Sequence, residues 1–163
     1  MPDTGIELAA AALLADIAQA IRRVDSAGGF VFANEYDLQF ELERTMRGAL
    51  IGDVEREVTF PTGRRIDFVV RERFNADDAY DVAIGVEVKV RGALKDVYWQ
   101  LRAYADEPSI QGLVLVTTRG AQHRGMPQYF HSMRPAQGPT PAFRNREVIK
   151  VPLVVVALTG AAL

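Results

Sequence analysis

Apolar residues open the chain at the three-and-four spacing of an amphipathic helix. In "IELAAAALLADIAQAIRRV", Ile6, Leu13, Ile17, Ile21 and Val24 fall near one face, with Arg22 and Arg23 before the helix-stopping "SAGG". This predicts a packing helix within residues 1–28. A second helix follows in "NEYDLQFELERTMRGALIG", capped by Asn34 and stopped by Gly52, with Leu38, Leu42, Met46, Ala49 and Leu50 as its inward stripe. The period then falls to two. "EREVTF", the turn "PTG" and "RRIDFVV" predict an antiparallel hairpin, and "AIGVEVKVRG" predicts a third strand after a loop at Asp77 and Asp78. "LKDVYWQLRAYAD" returns to helical spacing before Pro108, and "GLVLVTT" is an apolar run typical of a strand buried on both faces. Residues 119–150 are irregular in pattern, apart from a short helix expected around Gln128 to Met133. "VPLVVVAL" at 151–158 predicts a last strand, with Pro152 near its start or on an edge. The order predicts an α/β fold with a mixed central β-sheet flanked by helices.

Composition narrows the class. The length of 163 residues fits a single domain, 1–163, and 48% hydrophobic with 25% charged residues is the balance of an ordinary globular protein. With no cysteine, disulfides and thiolate metal sites are excluded and a reducing, cytoplasmic location is expected. The N-terminal apolar run has an acidic start and is broken by Glu7 and Asp16, so packing is expected rather than a signal peptide or membrane span. A net charge of −2 argues against coating nucleic acid by bulk electrostatics. It leaves room for local recognition by the cations at Arg64, Arg65, Arg71, Arg73, Lys89, Arg91 and Lys95, and from Arg119 to Lys150.

The candidate chemistry lies in the third strand. Ile84, Val86, Val88 and Val90 share one face and Gly85, Glu87 and Lys89 the other, with Glu87 and Lys89 about 6 to 7 Å apart along the strand. In the preceding strand Ile66, Phe68 and Val70 are expected on one face and Asp67 on the other. Pairing the apolar faces therefore brings Asp67, Glu87 and Lys89 to one side of the sheet. Each residue taken singly also fits the wet side of an ordinary strand. Gly85, however, weakens a strand unless something approaches it closely, and Gln100 and Tyr104 stand one turn apart on the helix face that packs toward the sheet. Inward polar groups need partners. On the second helix Glu35 lies in the apolar stripe and Gln39 borders it, while Glu41 and Glu43 read as surface. Glu35 also fits a carboxylate at a helix start, favoured by the dipole.

From Asn34 to Thr118 these features resemble the PD-(D/E)XK nuclease superfamily, especially its RecB-like members. The resemblance rests on "NEYDLQ", on "GRRIDFVV" with Asp67, on "GVEVKV" with Glu87-x-Lys89, and on the Gln-x-x-x-Tyr pair Gln100 and Tyr104, in that order. Ile66 stands where the superfamily's name has proline. The resemblance implies a restriction-endonuclease-like core, αβββαβ, and a nuclease acting on DNA more readily than RNA. It also implies Mg²⁺ or Mn²⁺ on Asp67, Glu87 and the Val88 carbonyl, with Glu35 as a further candidate ligand. Lys89 would then orient or deprotonate a water, or stabilise the transition state, with Gln100 and Tyr104 supporting it. Its small size suggests a homodimer or a partner protein.

Other chemistries fit less well. His123 and His131 lack companion ligands for zinc, although His123 beside Arg119 and Arg124 could meet phosphate. There is no phosphate-binding Gly-x-x-x-x-Gly-Lys loop and no serine nucleophile elbow. Trp99 and Tyr98 could stack on bases, though at helical spacing at least one is expected in the core. Two non-catalytic alternatives remain: a nucleic-acid-binding or scaffolding module on the same fold, and a structural protein whose Glu87 and Lys89 are solvated.

Overall fold

The computed structural model describes residues 4–74, 80–118, 126 and 151–159. Helices α1 (Thr4–Ser26) and α2 (Glu35–Ala49) precede strands β1 (Asp53–Thr59), β2 (Arg65–Phe74) and β3 (Tyr80–Lys89). Helix α3 (Leu94–Ala105) and strands β4 (Gly112–Thr117) and β5 (Leu153–Ala157) follow. The five strands form one sheet in the order β1-β2-β3-β4-β5. β1, β2 and β3 are antiparallel neighbours, whereas β3, β4 and β5 run parallel. The result is the expected mixed α/β sheet, and α2 through β4 run in the order αβββαβ.

Two apolar layers sandwich the sheet. On one face α1 contributes Leu13, Ile17 and Ile21 and α2 contributes Leu38, Leu42 and Met46, packed on Phe68, Val70, Ile84, Val86, Val88, Val114 and Val116. On the other, Val97, Tyr98, Leu101 and Tyr104 of α3 meet Ile66, Val69, Ala83, Leu113 and Leu115. β4 is buried along its whole length, as its unbroken apolar run requires when helices cover both faces. Pro152 stands just before β5, where its carbonyl accepts from Leu113 N at 2.9 Å.

Two sequence expectations need correction. Ala49 is exposed, so the inward stripe of α2 ends with Met46 and the partly buried Leu50. Ile66 does not share the face of Phe68 and Val70 but packs with the α3 layer. The neighbouring strand does the same, with Val54 in the α1/α2 layer and Val58 against the α3 layer. Both switches occur at one level: the register passes from Arg56↔Phe68 to Val58↔Ile66 and skips Glu57 and Asp67. Glu57 there has a φ of 53°, an uncommon left-handed conformation for a residue with a side chain. Gly85 is explained by the same rearrangement. A Cβ at Gly85 would stand 2.6 Å from Ile66 Cδ1 and 2.9 Å from Leu113 Cδ2, so core packing is what approaches this glycine. Of residues 119–150 only Met126 is described, buried in the α3 layer. The helix expected at Gln128 to Met133 and both histidines lie outside the described residues.

Candidate active site

The site forms where β2 and β3 stop pairing. Their ladder ends at Phe68↔Val86, so the amides of β3 beyond that point need other acceptors. Two carboxylates supply them. Asp67 Oδ2 accepts from Val88 N at 2.8 Å, and Glu35 Oε2, from the first turn of α2, accepts from Val90 N at 3.0 Å. The N–H and C=O of one strand residue point to the same edge, so the Val88 carbonyl also faces the opening between the strands. Helix α2 starts at Glu35 because Asn34 caps it, its side chain accepting from Asp37 N at 2.9 Å while Asp37 accepts from Ala33 N at 3.2 Å.

Glu87 lies on the α3 side, 2% exposed. Its Oε1 accepts from Lys89 Nζ at 2.8 Å and from Gln100 Nε2 at 2.7 Å, and its Oε2 lies 3.4 Å from Asp67 N. Gln100 Nε2 also reaches Tyr104 Oη at 2.8 Å, and the Tyr104 hydroxyl donates to the Arg65 carbonyl. Asp67, Glu87, Lys89, Gln100 and Tyr104 are thus brought into one connected network. Glu35 borders it through Val90, and Val88 joins through its amide.

Burial gives this network its electrostatics. Desolvation, reinforced by the Asp67 charge, pushes the Glu87 carboxyl up to about 7 despite the opposing pull of Lys89. Desolvation also raises Asp67, with Glu35 adding to it and the Val88 amide and Lys89 working against it. For Lys89 desolvation acts downward, but Glu87, Glu35 and Asp67 together hold the ammonium above its ordinary value. Burial, then the Glu87 charge, keeps the Tyr104 phenol well above its usual range, so it stays a donor.

The donor set suits a hard cation: three carboxylates and a backbone carbonyl, all oxygen, with Glu87 buried and Glu35 and Asp67 partly so, like charges whose repulsion a cation would relieve. As placed, these carboxylates are occupied by internal donors, and no group of three acidic, histidine or cysteine side chains among the described residues is close enough to hold a metal ion. Loading would therefore exchange some of these internal hydrogen bonds for the ion.

Sequence reasoning placed Gln39 beside the α2 stripe but missed its contact with Asp67, and missed Arg56 behind it. Gln39 donates from Nε2 to Asp67 Oδ1 at 3.0 Å, and Arg56 of β1 donates from Nη2 to Gln39 Oε1 at 3.3 Å. Glu43, expected at the surface, is only 20% exposed in its side chain and pairs with Arg56 at 3.4 Å and with Arg47 at 3.0 Å. The missed signal was the position of Arg56, a cation at the same strand parity as the buried Val54. Of the pair Tyr98 and Trp99, Tyr98 is the core member, and Arg102 stacks over the partly buried Trp99 at 5.2 Å.

No family model matches the chain, and no curated protein sequence matches it. Among solved structures the chain is similar to one titled "DNA modification-dependent restriction endonuclease AspBHI", with 16% identity and a TM-score of 0.43, over 97% of this chain and 34% of that one. The chain thus spans about a third of the length of that protein. No helix among the described residues is long and apolar enough to cross a membrane.

Proposed function

We propose that the chain is a metal-dependent nuclease of the PD-(D/E)XK type, hydrolysing phosphodiester bonds, in DNA before RNA. The observation that carries this reading is the buried Glu87, in contact with Lys89 Nζ at 2.8 Å and with the Asp67 amide at 3.4 Å. A buried acid and a half-buried one beside one amine cost stability, and an ordinary wet strand face has no use for them. Asp67, Glu87 and the Val88 carbonyl would hold Mg²⁺ or Mn²⁺, with Glu35 at the rim. Such an ion supplies a more acidic bound water and neutralises charge on the scissile phosphate.

The residues of the chain account for the rest. Lys89 is held in its charged form by the surrounding carboxylates, which favours electrostatic stabilisation of the phosphate over proton abstraction. At 19% exposure its side chain is only partly buried, which leaves a path for substrate to approach it. Gln100 fixes the rotamer of Glu87, and Tyr104 fixes Gln100 by tying it to the backbone of β2. This support holds Glu87 against its own tendency to rotate toward water.

The test is incubation of the protein with plasmid, single-stranded DNA and RNA in Mg²⁺, Mn²⁺ or EDTA, alongside Asp67→Ala and Lys89→Ala. Metal-dependent cutting of DNA that both variants lose is the expected result. Tight binding without cutting, unchanged in the variants, would mean a binding module instead.

A further inference from the structure

The geometry points to Arg56 and Gln39 as positioning residues that set the orientation of the Asp67 carboxylate, an inference that rests on Asp67 being a metal ligand in the reading above. A glutamine amide has an acceptor end and a donor end. The Arg56 guanidinium occupies the acceptor end at 3.3 Å, so the donor end is directed at Asp67 Oδ1, 3.0 Å away. The other oxygen of Asp67 is fixed by Val88 N at 2.8 Å. Both oxygens are then held, one by the sheet and one by a chain of side chains running from β1 through α2.

Arg56 is itself immobilised. Its guanidinium carbon lies 4.6 Å from the ring centroid of Tyr36 and 4.4 Å from that of Phe40, and Glu43 pairs with its Nη1 at 3.4 Å. Tyr36 and Phe40 are half exposed, so the rings gain little burial from this arrangement, while their faces confine the cation. Arg56 Nε is buried without a hydrogen-bond partner among the described residues. Leaving this donor unpaired costs stability, and the stacking and the Glu43 pair hold the guanidinium with its Nη2 turned to Gln39. That contact orients the Gln39 amide.

The test is a titration of Mn²⁺ by calorimetry into wild type, Gln39→Met, Arg56→Met, the double variant and Asp67→Asn, with melting temperatures measured in EDTA. Gln39→Met keeps the buried volume and removes both ends of the amide, the donor to Asp67 and the acceptor for Arg56. Partners behind a metal ligand typically contribute about tenfold or more in metal affinity. Each single variant is expected to weaken Mn²⁺ binding about tenfold, and the double variant no more than Gln39→Met alone, because Arg56 acts through Gln39. Arg56→Lys replaces Arg56→Met should the latter not fold. Binding abolished by Asp67→Asn but unchanged in Gln39→Met overturns the positioning role and leaves the nuclease reading intact. Losses that multiply in the double variant overturn the relay. No Mn²⁺ binding by wild type overturns both, whereas Mn²⁺ binding with the expected pattern but no cleavage of nucleic acid overturns only the nuclease reading.

Discussion

Glu87 is the residue at which the proposed function and stability oppose each other most clearly. Its carboxyl is pushed from 4.5 up to about 7, chiefly by desolvation. A carboxyl whose pKa is higher folded than unfolded binds its proton more tightly in the native state. That stabilisation is complete below about pH 4.5 and is lost as pH rises through 7. The shift corresponds to about 3 kcal/mol from this one group. Urea unfolding should therefore show wild type losing stability between pH 4.5 and 8, while Glu87→Gln flattens that slope and is the more stable protein at pH 8. A parallel slope in the two proteins would mean that Glu87 is not held in this way. Much of this was legible beforehand, because strand alternation alone places Glu87 beside Lys89. What alternation could not show is where Asp67 points, since it assumes regular strands.

At the scale of elements, the decisive feature is the departure from regularity at Glu57 and Asp67, where β1 and β2 turn over together and the β2–β3 ladder ends. The turn carries Ile66 to the α3 layer, where it fills the space beside Gly85. Gly85→Ala should thus destabilise by about 1–3 kcal/mol as an overpacked core position. Ile66→Val, which removes the nearer methyl, should recover part of that loss in a double-mutant cycle of unfolding free energies. Helix α2 offers a second check. Asn34→Ala removes its cap and should cost about 1 kcal/mol. Because Glu35 is the next residue, its hold on Val90 should loosen too, seen as faster hydrogen exchange of that amide. The cap was visible in the sequence, but the reach of Glu35 across to β3 was not, because it depends on how the helix crosses the sheet.

For the whole molecule, the order of helices and strands was readable from hydrophobic period, and so was the convergence of the two central strands with α3. The contributions of β1 and of the middle of α2 were not readable. Arg56, Gln39 and Asp67 lie on three elements and meet only through side chains 3.3 and 3.0 Å apart, a relation with no trace in local spacing. The assembled carboxylates should make the fold respond to divalent cations. Millimolar Mg²⁺ or Mn²⁺ is expected to raise the melting temperature of wild type more at pH 8 than at pH 5, where protons compete for Glu87. Asp67→Asn should lose that response.

The central claim is that Asp67, Glu87 and Lys89 together cleave phosphodiesters with a divalent ion. Its most direct test is the rate of plasmid nicking in Mg²⁺ or Mn²⁺ by wild type and by Asp67→Asn purified identically. Metal-dependent nicking by wild type that the variant loses is the predicted result. Equal rates in the two proteins, or no cleavage by wild type of plasmid, single-stranded DNA or RNA with either metal, would contradict it.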